Sequence, residues 1–271
     1  MSRIDELMLC ALKARTAIPG FNIPYLPMMA PVARALRDTR CFGLIMALHL
    51  DHVPVIDEDD LRVDYEAILR EAVALGYDSV MVDGSRLSLE DNIAATVRVV
   101  DLAHASGVAV EAELGAVMGH ESGPMPPYEE LFASGRGFTD PDEARRFIAA
   151  TGVDWLSVAV GSVHGAISAA KRREKKLEAR LSIERIDALQ KAVGVPLVLH
   201  GGTGIKKRYV LEAMRHGIAK INVATAIRQP YEALVEQSPE AALEAVYEAT
   251  VSVIRDELEL AGTADLLMKP S

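Results

Sequence analysis

Polar residues recur where short hydrophobic runs end. Asp51 and His52 close ALHLDH (47–52), Asp83 lies near the end of YDSVMVDGS (77–85), and Glu111 and Glu113 sit in VAVEAELG (108–115). His164 follows WLSVAVGS (155–162), His200 ends the apolar part of PLVLHGG (196–202), and Asn222 and Thr225 fall at the end of AKINVAT (219–225). A lone histidine at a strand end usually makes a structural hydrogen bond. Three at matching positions, His52, His164 and His200, can converge on one cavity, and three imidazoles suit Zn²⁺ with an open position for substrate. His49 lies one pleat inward, in a packing or supporting place. His104, His120 and His216 fall in helical or loop stretches and carry no such signal.

Glu111 and Glu113 are two residues apart in a strand, so they share a face. Burying them among small and apolar residues is costly without compensation. A metal would supply it; so would an interior lysine or arginine. Asp51 is placed to act as a general base or to polarise a substrate hydroxyl. Asp83 precedes Gly84, and an isolated Asp-Gly would read as a turn. HGGTG (200–204) and NVAT (222–225) end two late strands. Glycines there let backbone N–H groups approach a phosphate, and the following helices aim their N-termini at it. Lys206, Lys207 and Arg208 lie just beyond. For these, and for the KRREKK run (171–176), a solvated face is the default reading.

The elements that must position these residues alternate along the chain. Helical stretches at 64–76, 88–107, 140–152, 182–194 and 207–217 separate strand-like runs at 17–22, 43–50, 77–83, 108–114, 155–161, 196–200 and 219–224. Ser88 with Asp91 forms a capping-box-like start, Pro141 suits a first helical position, and Gly76 suits a stop. Such βα repetition implies parallel strands and predicts a TIM (β/α)8-type barrel, whose chemistry sits at the C-terminal rim. An open doubly wound sheet is the alternative, weakened by the lack of a Gly-rich dinucleotide turn after the first strand. The strand count is seven. The block CFGLIMALHLDH (41–52) has room for a strand but no helix, so one βα unit between residues 38 and 48 is missing, or two strands are fused there. The reading is a single barrel domain over 1–271 with a helical C-terminal extension from about 228.

Half of the 271 residues are hydrophobic and only 5% aromatic, as befits Val- and Ile-rich strands under Ala- and Leu-rich helices. The net charge of −10 argues against a general nucleic-acid binder. Cys10 and Cys41 have neither metal-like nor disulfide-framework spacing, which fits a reducing cytoplasm. The first 18 residues read as an amphipathic helix interrupted by Asp5 and Glu6 rather than a signal peptide, and no apolar run is long enough for a membrane span.

Seven strings in order, LHLDHV (48–53), SVMVDGS (79–85), EDNI (90–93), VAVEAELGAVMGHESG (108–123), TGVDWLSVAVGSVHG (151–165), PLVLHGGTG (196–204) and AKINVAT (219–225), resemble the class II, zinc-dependent fructose-bisphosphate and tagatose-bisphosphate aldolase family. The resemblance implies a cytoplasmic lyase of glycolysis and carbohydrate metabolism. Its reaction would be reversible cleavage of a ketose 1,6-bisphosphate to dihydroxyacetone phosphate and glyceraldehyde 3-phosphate. It further implies Zn²⁺, with room for a second divalent or a monovalent cation, and a homo-oligomer, dimer or tetramer, with no nucleic-acid or membrane partner.

By the same resemblance His52, His164 and His200 are the zinc ligands. Asp83 and Glu113 offer an alternate or second metal position. Asp51 handles the C4 hydroxyl proton and Glu121 the proton at C3. Gly165, Gly201, Gly202, Thr203, Asn222, Val223, Ala224 and Thr225 contact the substrate or its phosphate. Lys220 is the lysine near a strand rim, and a Schiff-base mechanism would need it buried and desolvated. Two features depart from the family: the strand and helix before LHLDH are absent, and His120 stands where an acidic residue or glycine is common. The shortened wall leaves a second reading, a non-catalytic metal- or sugar-phosphate-binding protein descended from an aldolase.

Overall fold

The computed structural model describes residues 2–45, 47–115, 128–162 and 179–268. Seven strands among them, β1 (Ile18–Phe21), β2 (His49–Pro54), β3 (Ser79–Asp83), β4 (Ala109–Leu114), β5 (Trp155–Val158), β6 (Leu197–Leu199) and β7 (Ile218–Val223), form one sheet in the order β1-β7-β6-β5-β4-β3-β2. Every pairing is parallel. The helices are α1 (Arg3–Ala14), α2 (Met29–Thr39), α3 (Tyr65–Ala74), α4 (Leu89–His104), α5 (Tyr128–Ser134), α6 (Pro141–Thr151), α7 (Ile183–Val193), α8 (Lys207–Arg215), α9 (Thr225–Leu234), α10 (Pro239–Ser252) and α11 (Thr263–Leu267). This is the (β/α)-barrel architecture, opened between β1 and β2. Among the described residues, no helix is long and apolar enough to cross a membrane.

Local chemistry sets the helix starts. Ser2 and Asp5 form a reciprocal capping box on α1. The Ser88 hydroxyl accepts from the Asp91 N–H at the start of α4, and the Asp140 carboxylate accepts from the Asp142 and Glu143 N–H groups ahead of Pro141 on α6. Gly152 and Gly194 end α6 and α7 in the left-handed conformation.

Strand alternation then sorts the side chains. Val80, Val82, Val110, Ala112, Leu156, Val158, Leu197 and Leu199 face outward into the main core under the helices. The inward side is layered. At the N-terminal end, Ile18, Ala109, Trp155 and Val198 pack against Ile4, Leu7, Met8 and Ala11 of α1, which plugs that mouth. The charged residues lie on the next positions toward the C-terminal ends.

The break in the barrel corrects the strand expected over 43–50. Among the described residues of that block Leu44 alone pairs with β1, through one parallel bridge to Gly20: the Leu44 N–H donates to Pro19 O at 2.9 Å and the Phe21 N–H donates to Leu44 O at 3.3 Å. The strand proper begins at His49 and pairs with β3 instead. The block therefore serves two staves, a stub beside β1 and the first four residues of β2, with no helix between them among the described residues. Phe42 and Leu44 are buried with α1 and with Leu267 of α11, so side chains close the lower part of the gap where a full strand is lacking. On the far side of the chain, α10 packs on α9 and α2, and the Arg34 guanidinium lies 3.8 Å from the centre of the Tyr247 ring.

Two substitutions test this arrangement. Phe42→Ala removes the plug and is expected to cost about 3–5 kcal/mol of unfolding free energy, read from the urea midpoint. Gly20 faces the interior beside β7, and a Cβ there would meet Asn222 Oδ1 at 2.7 Å and Lys220 Cε at 3.2 Å. Gly20→Ala is expected to cost about 1–3 kcal/mol by overpacking; full retention of stability would show that β7 can retreat.

Candidate metal and substrate site

Six strands deliver polar side chains to one interior. β2 carries His49, Asp51 and His52; β3 carries Ser79 and Asp83; β4 carries Glu111 and Glu113; β5 carries Ser157; His200 follows β6; and β7 carries Lys220 and Asn222. Adjacent residues of a strand normally point to opposite faces, yet Asp51 and His52 both serve the site. The pairing with β3 shifts register between Leu50 and Val53, and His52 takes the left-handed conformation with φ 50°. This bulge turns His52 back toward the interior. Its N–H reaches the Met81 sulfur at 3.4 Å.

The lowest polar contacts centre on Lys220, which is fully buried. Its Nζ lies 2.5 Å from Glu111 Oε2, 3.0 Å from His49 Nε2 and 3.4 Å from Asp51 Oδ1. His49 is held from its other nitrogen by the Ser79 hydroxyl at 2.9 Å. Glu111 thus has the interior-lysine partner that was one of two ways to compensate its burial. Burial by itself raises the Glu111 pKa, but Lys220 and the His200 hydrogen bond outweigh it and bring it to about 2. The Lys220 amine is thus engaged by Glu111, His49 and Asp51 at the floor of the site.

Above this floor, Glu111 Oε1 lies 2.9 Å from His200 Nε2. An ionised carboxylate only accepts, so the shorter contact, to Glu111, puts the His200 proton on Nε2 and leaves Nδ1 to face outward, while Asn222 Nδ2 lies 3.2 Å from the same Nε2. Asp83 Oδ2 lies 3.4 Å from His52 Nδ1, and burial is overcome by the His52 and Ser85 hydrogen bonds so that Asp83 stays well below the usual carboxylate range. His52 therefore turns Nε2 toward His200. The two presented nitrogens face each other at 2.5 Å. Two bare imidazole nitrogens would repel at that distance, so a proton or another cation belongs between them. Burial disfavours charge on His52, but Asp51, Asp83 and Glu113 prevail and raise its pKa to about 10. His200 goes the other way, lowered by burial and by the neighbouring His52. The carboxylates thus favour a proton on the pair, held by His52 and directed at His200.

Glu113 sits 4.0 Å from His52 Nδ1 and 3.9 Å from His200 Nδ1, with the Ser157 hydroxyl 3.4 Å from Oε2. Burial and the nearby Asp83 raise its pKa to about 8. His52, Asp83 and Glu113 offer donor atoms within one cation-sized cluster, and so do Asp51, His52 and His200. Asp51 is gripped at both oxygens: Asn22 Nδ2 donates to Oδ2 at 2.8 Å, and Asn222 Nδ2 lies 3.0 and 2.9 Å from the two. Lys220 and His52 outweigh its burial and hold it well below the usual carboxylate range. The Asn22 contact crosses the break between β1 and β2. Asn22 escaped the reading of the sequence, although FN at the end of the first strand sits at the same rim as the other candidates.

Asp51, His52 and Asp83 keep 14%, 31% and 19% of their side chains exposed, whereas His200, Glu111 and Glu113 are buried, so the site opens at the strand ends. Gly201, Gly202 and Thr203 lie between β6 and α8, and Val223, Ala224 and Thr225 join β7 to α9. Neither α8 nor α9 has a side-chain N-cap, which leaves their first N–H groups for another acceptor. His120, Glu121, His164, Gly165 and the 171–176 basic run lie outside the described residues. His104 pairs instead with Asp154 at 2.8 Å on the barrel exterior, and His216 contacts Asp187 and Glu212 at 3.3 Å.

Comparison with known proteins agrees with this geometry. Over 180 residues the chain is 38% identical to "Fructose-bisphosphate aldolase" of Staphylococcus aureus (strain Mu50 / ATCC 700699), covering 66% of this chain and 54% of the relative. The chain thus spans about half the length of the curated relatives it matches first. Among solved structures, the YdjI aldolase from Escherichia coli K12 is similar at 27% identity with a TM-score of 0.75, over 96% of this chain and 98% of that one. Fructose-bisphosphate aldolase (Fba) from Campylobacter jejuni, at 18% identity, shares the fold, with a TM-score of 0.71 over 97% and 96% of the two chains. The family model for fructose-bisphosphate aldolase class-II matches residues 21–265, and the chain belongs to that family.

Proposed function

We propose that this chain is a divalent-metal-dependent aldolase. It would cleave a ketose 1,6-bisphosphate, fructose or tagatose, reversibly to dihydroxyacetone phosphate and glyceraldehyde 3-phosphate. The observation that carries the reading is the pair of imidazole nitrogens facing each other at 2.5 Å, each ring contacted from behind by a carboxylate, beside the ionised Asp51. Carboxylate-backed histidines are the usual supports of a metal. His52 and His200 would hold Zn²⁺ with His164 as the third ligand, and Asp83 and Glu113 would offer an alternate or second position. When bound, the cation supplies positive charge that draws electrons from a ketone and lowers the cost of the negative charge arising on cleavage.

The chain's own groups do the rest. Asp51 accepts the C4 hydroxyl proton as the C3–C4 bond breaks, and the bonding pair moves toward the carbonyl at C2. Its two asparagine partners keep its oxygens aimed while leaving it ionised. Glu121 returns a proton to C3. The 201–203 and 222–225 segments, with Gly165, hold the substrate and its phosphate at the uncapped starts of α8 and α9.

A coupled assay of fructose and tagatose 1,6-bisphosphate cleavage, with and without chelator, tests the proposal. Activity on at least one, abolished by chelator and restored by zinc, is expected; activity that survives full metal removal would sink the mechanism. Asp51→Ala is expected to lower kcat by about 10²–10⁴-fold with zinc content retained. His200→Ala is expected to lose tightly bound zinc in elemental analysis, and unchanged zinc would refute the ligand assignment. Zinc binding without cleavage of any phosphorylated ketose would favour the non-catalytic binding protein, the reading that the shortened wall between β1 and β2 supports.

A further inference from the structure

We infer that Lys220 is a positioning residue for the metal site: its ammonium fixes Glu111 so that Glu111 holds His200 with Nδ1 presented to the cation. The inference rests on the metal reading above and concerns a residue two contacts removed from the cation.

The geometry runs in one line. Lys220 Nζ lies 2.5 Å from Glu111 Oε2, and the other oxygen of the same carboxylate lies 2.9 Å from His200 Nε2. Glu111 and Lys220 are both fully buried, so no water competes for either oxygen. One carboxylate therefore faces two donors, the ammonium at Oε2, with His49 Nε2 at 3.5 Å, and the imidazole N–H at Oε1, with Asn222 Nδ2 3.2 Å from the same imidazole nitrogen. Lys220 is itself fixed, by His49 Nε2 at 3.0 Å and Asp51 Oδ1 at 3.4 Å. Because the ammonium touches both Glu111 and Asp51, it ties the carboxylate behind His200 to the carboxylate proposed to move the substrate proton. β7 and β2 lie at opposite sides of the break in the barrel, so this contact also holds the floor of the site together where no strand pairing does.

A glutamine at 111 has one acceptor and one donor end. Because Lys220 and His200 face different ends of the side chain, an amide in the place of the carboxylate turns its oxygen to one of them and its NH₂ to the other. If Lys220 is also replaced by an apolar residue, the conflict disappears and the glutamine oxygen can serve His200 alone. The single and double changes are therefore predicted to be non-additive.

The test uses the full chain as wild type, Lys220→Met, Glu111→Gln and the double variant. Zinc affinity of chelator-treated protein is read by competition with a chromophoric chelator. The visible spectrum of the Co²⁺ form reports the ligand geometry, and thermal unfolding reports stability. Each single variant is expected to bind zinc about 10–100-fold more weakly than wild type, with an altered Co²⁺ spectrum. The double variant is expected to bind more tightly than either single one. A merely structural role would move the unfolding temperature and leave the zinc affinity and Co²⁺ spectrum alone. If Lys220→Met does not fold, the isosteric Glu111→Gln carries the test. Wild-type binding with Glu111→Gln within twofold of it, or a double variant that simply sums the single losses, overturns this inference and leaves the metal reading standing. Wild-type protein that binds no zinc overturns both.

Discussion

Asp51, Asp83, Glu111 and Glu113 share one interior with a single ammonium, that of Lys220, among the described residues. Carboxylates out of water are costly unless opposite charge and hydrogen bonds stand close by. Lys220 answers for the lower pair, Glu111 and Asp51. The upper pair, Asp83 and Glu113, has the two imidazoles, whose facing nitrogens lie 2.5 Å apart. The pKa of about 10 at His52 and of about 8 at Glu113 are two expressions of that imbalance, a base made stronger and an acid made weaker by the same crowd of oxygens. A divalent cation on the histidines would answer both.

The barrel is arranged so that this crowd can exist. α1 and the Ile18–Ala109–Trp155–Val198 layer keep water from the floor, which makes the contacts of Lys220 strong. The bulge at Asp51–His52 brings two consecutive residues onto one face. The break between β1 and β2 is bridged by different chemistry at different heights: Phe42 and Leu44 fill it near the N-terminal mouth, Lys220 reaches Asp51 from the floor of the site, and Asn22 and Asn222 reach Asp51 nearer the rim. A stave of hydrogen-bonded backbone is thus replaced by packing below and by side-chain hydrogen bonds above. The residues that close the wall are also residues that aim Asp51, so closure and orientation are coupled here.

Much of this was legible in the order of residues. Period-two runs of Val, Ile, Leu and Ala between capped helices determine parallel βα units, and the polar residues at their ends determine the rim on which chemistry must lie. Glu111 and Glu113 share a face by spacing alone. The helix starts at Ser88 and Pro141 needed only their own side chains. Signals of this kind are local, and local geometry is what neighbouring residues control.

What the tertiary structure alone decided is long-range. Nothing in CFGLIMALHLDH tells that Leu44 belongs to β1 and His49 to β3, because a strand takes its place from partners distant in sequence. Nothing near Glu111 tells whether a metal or an ammonium compensates it; Lys220, 109 positions away, settles that by lying 2.5 Å from it. The metal-ready histidines show the same division. Sequence determined that His52 and His200 stand at strand ends. Which nitrogen each presents depends on Asp83 and Glu111 behind them, and those contacts exist only once the sheet has curled.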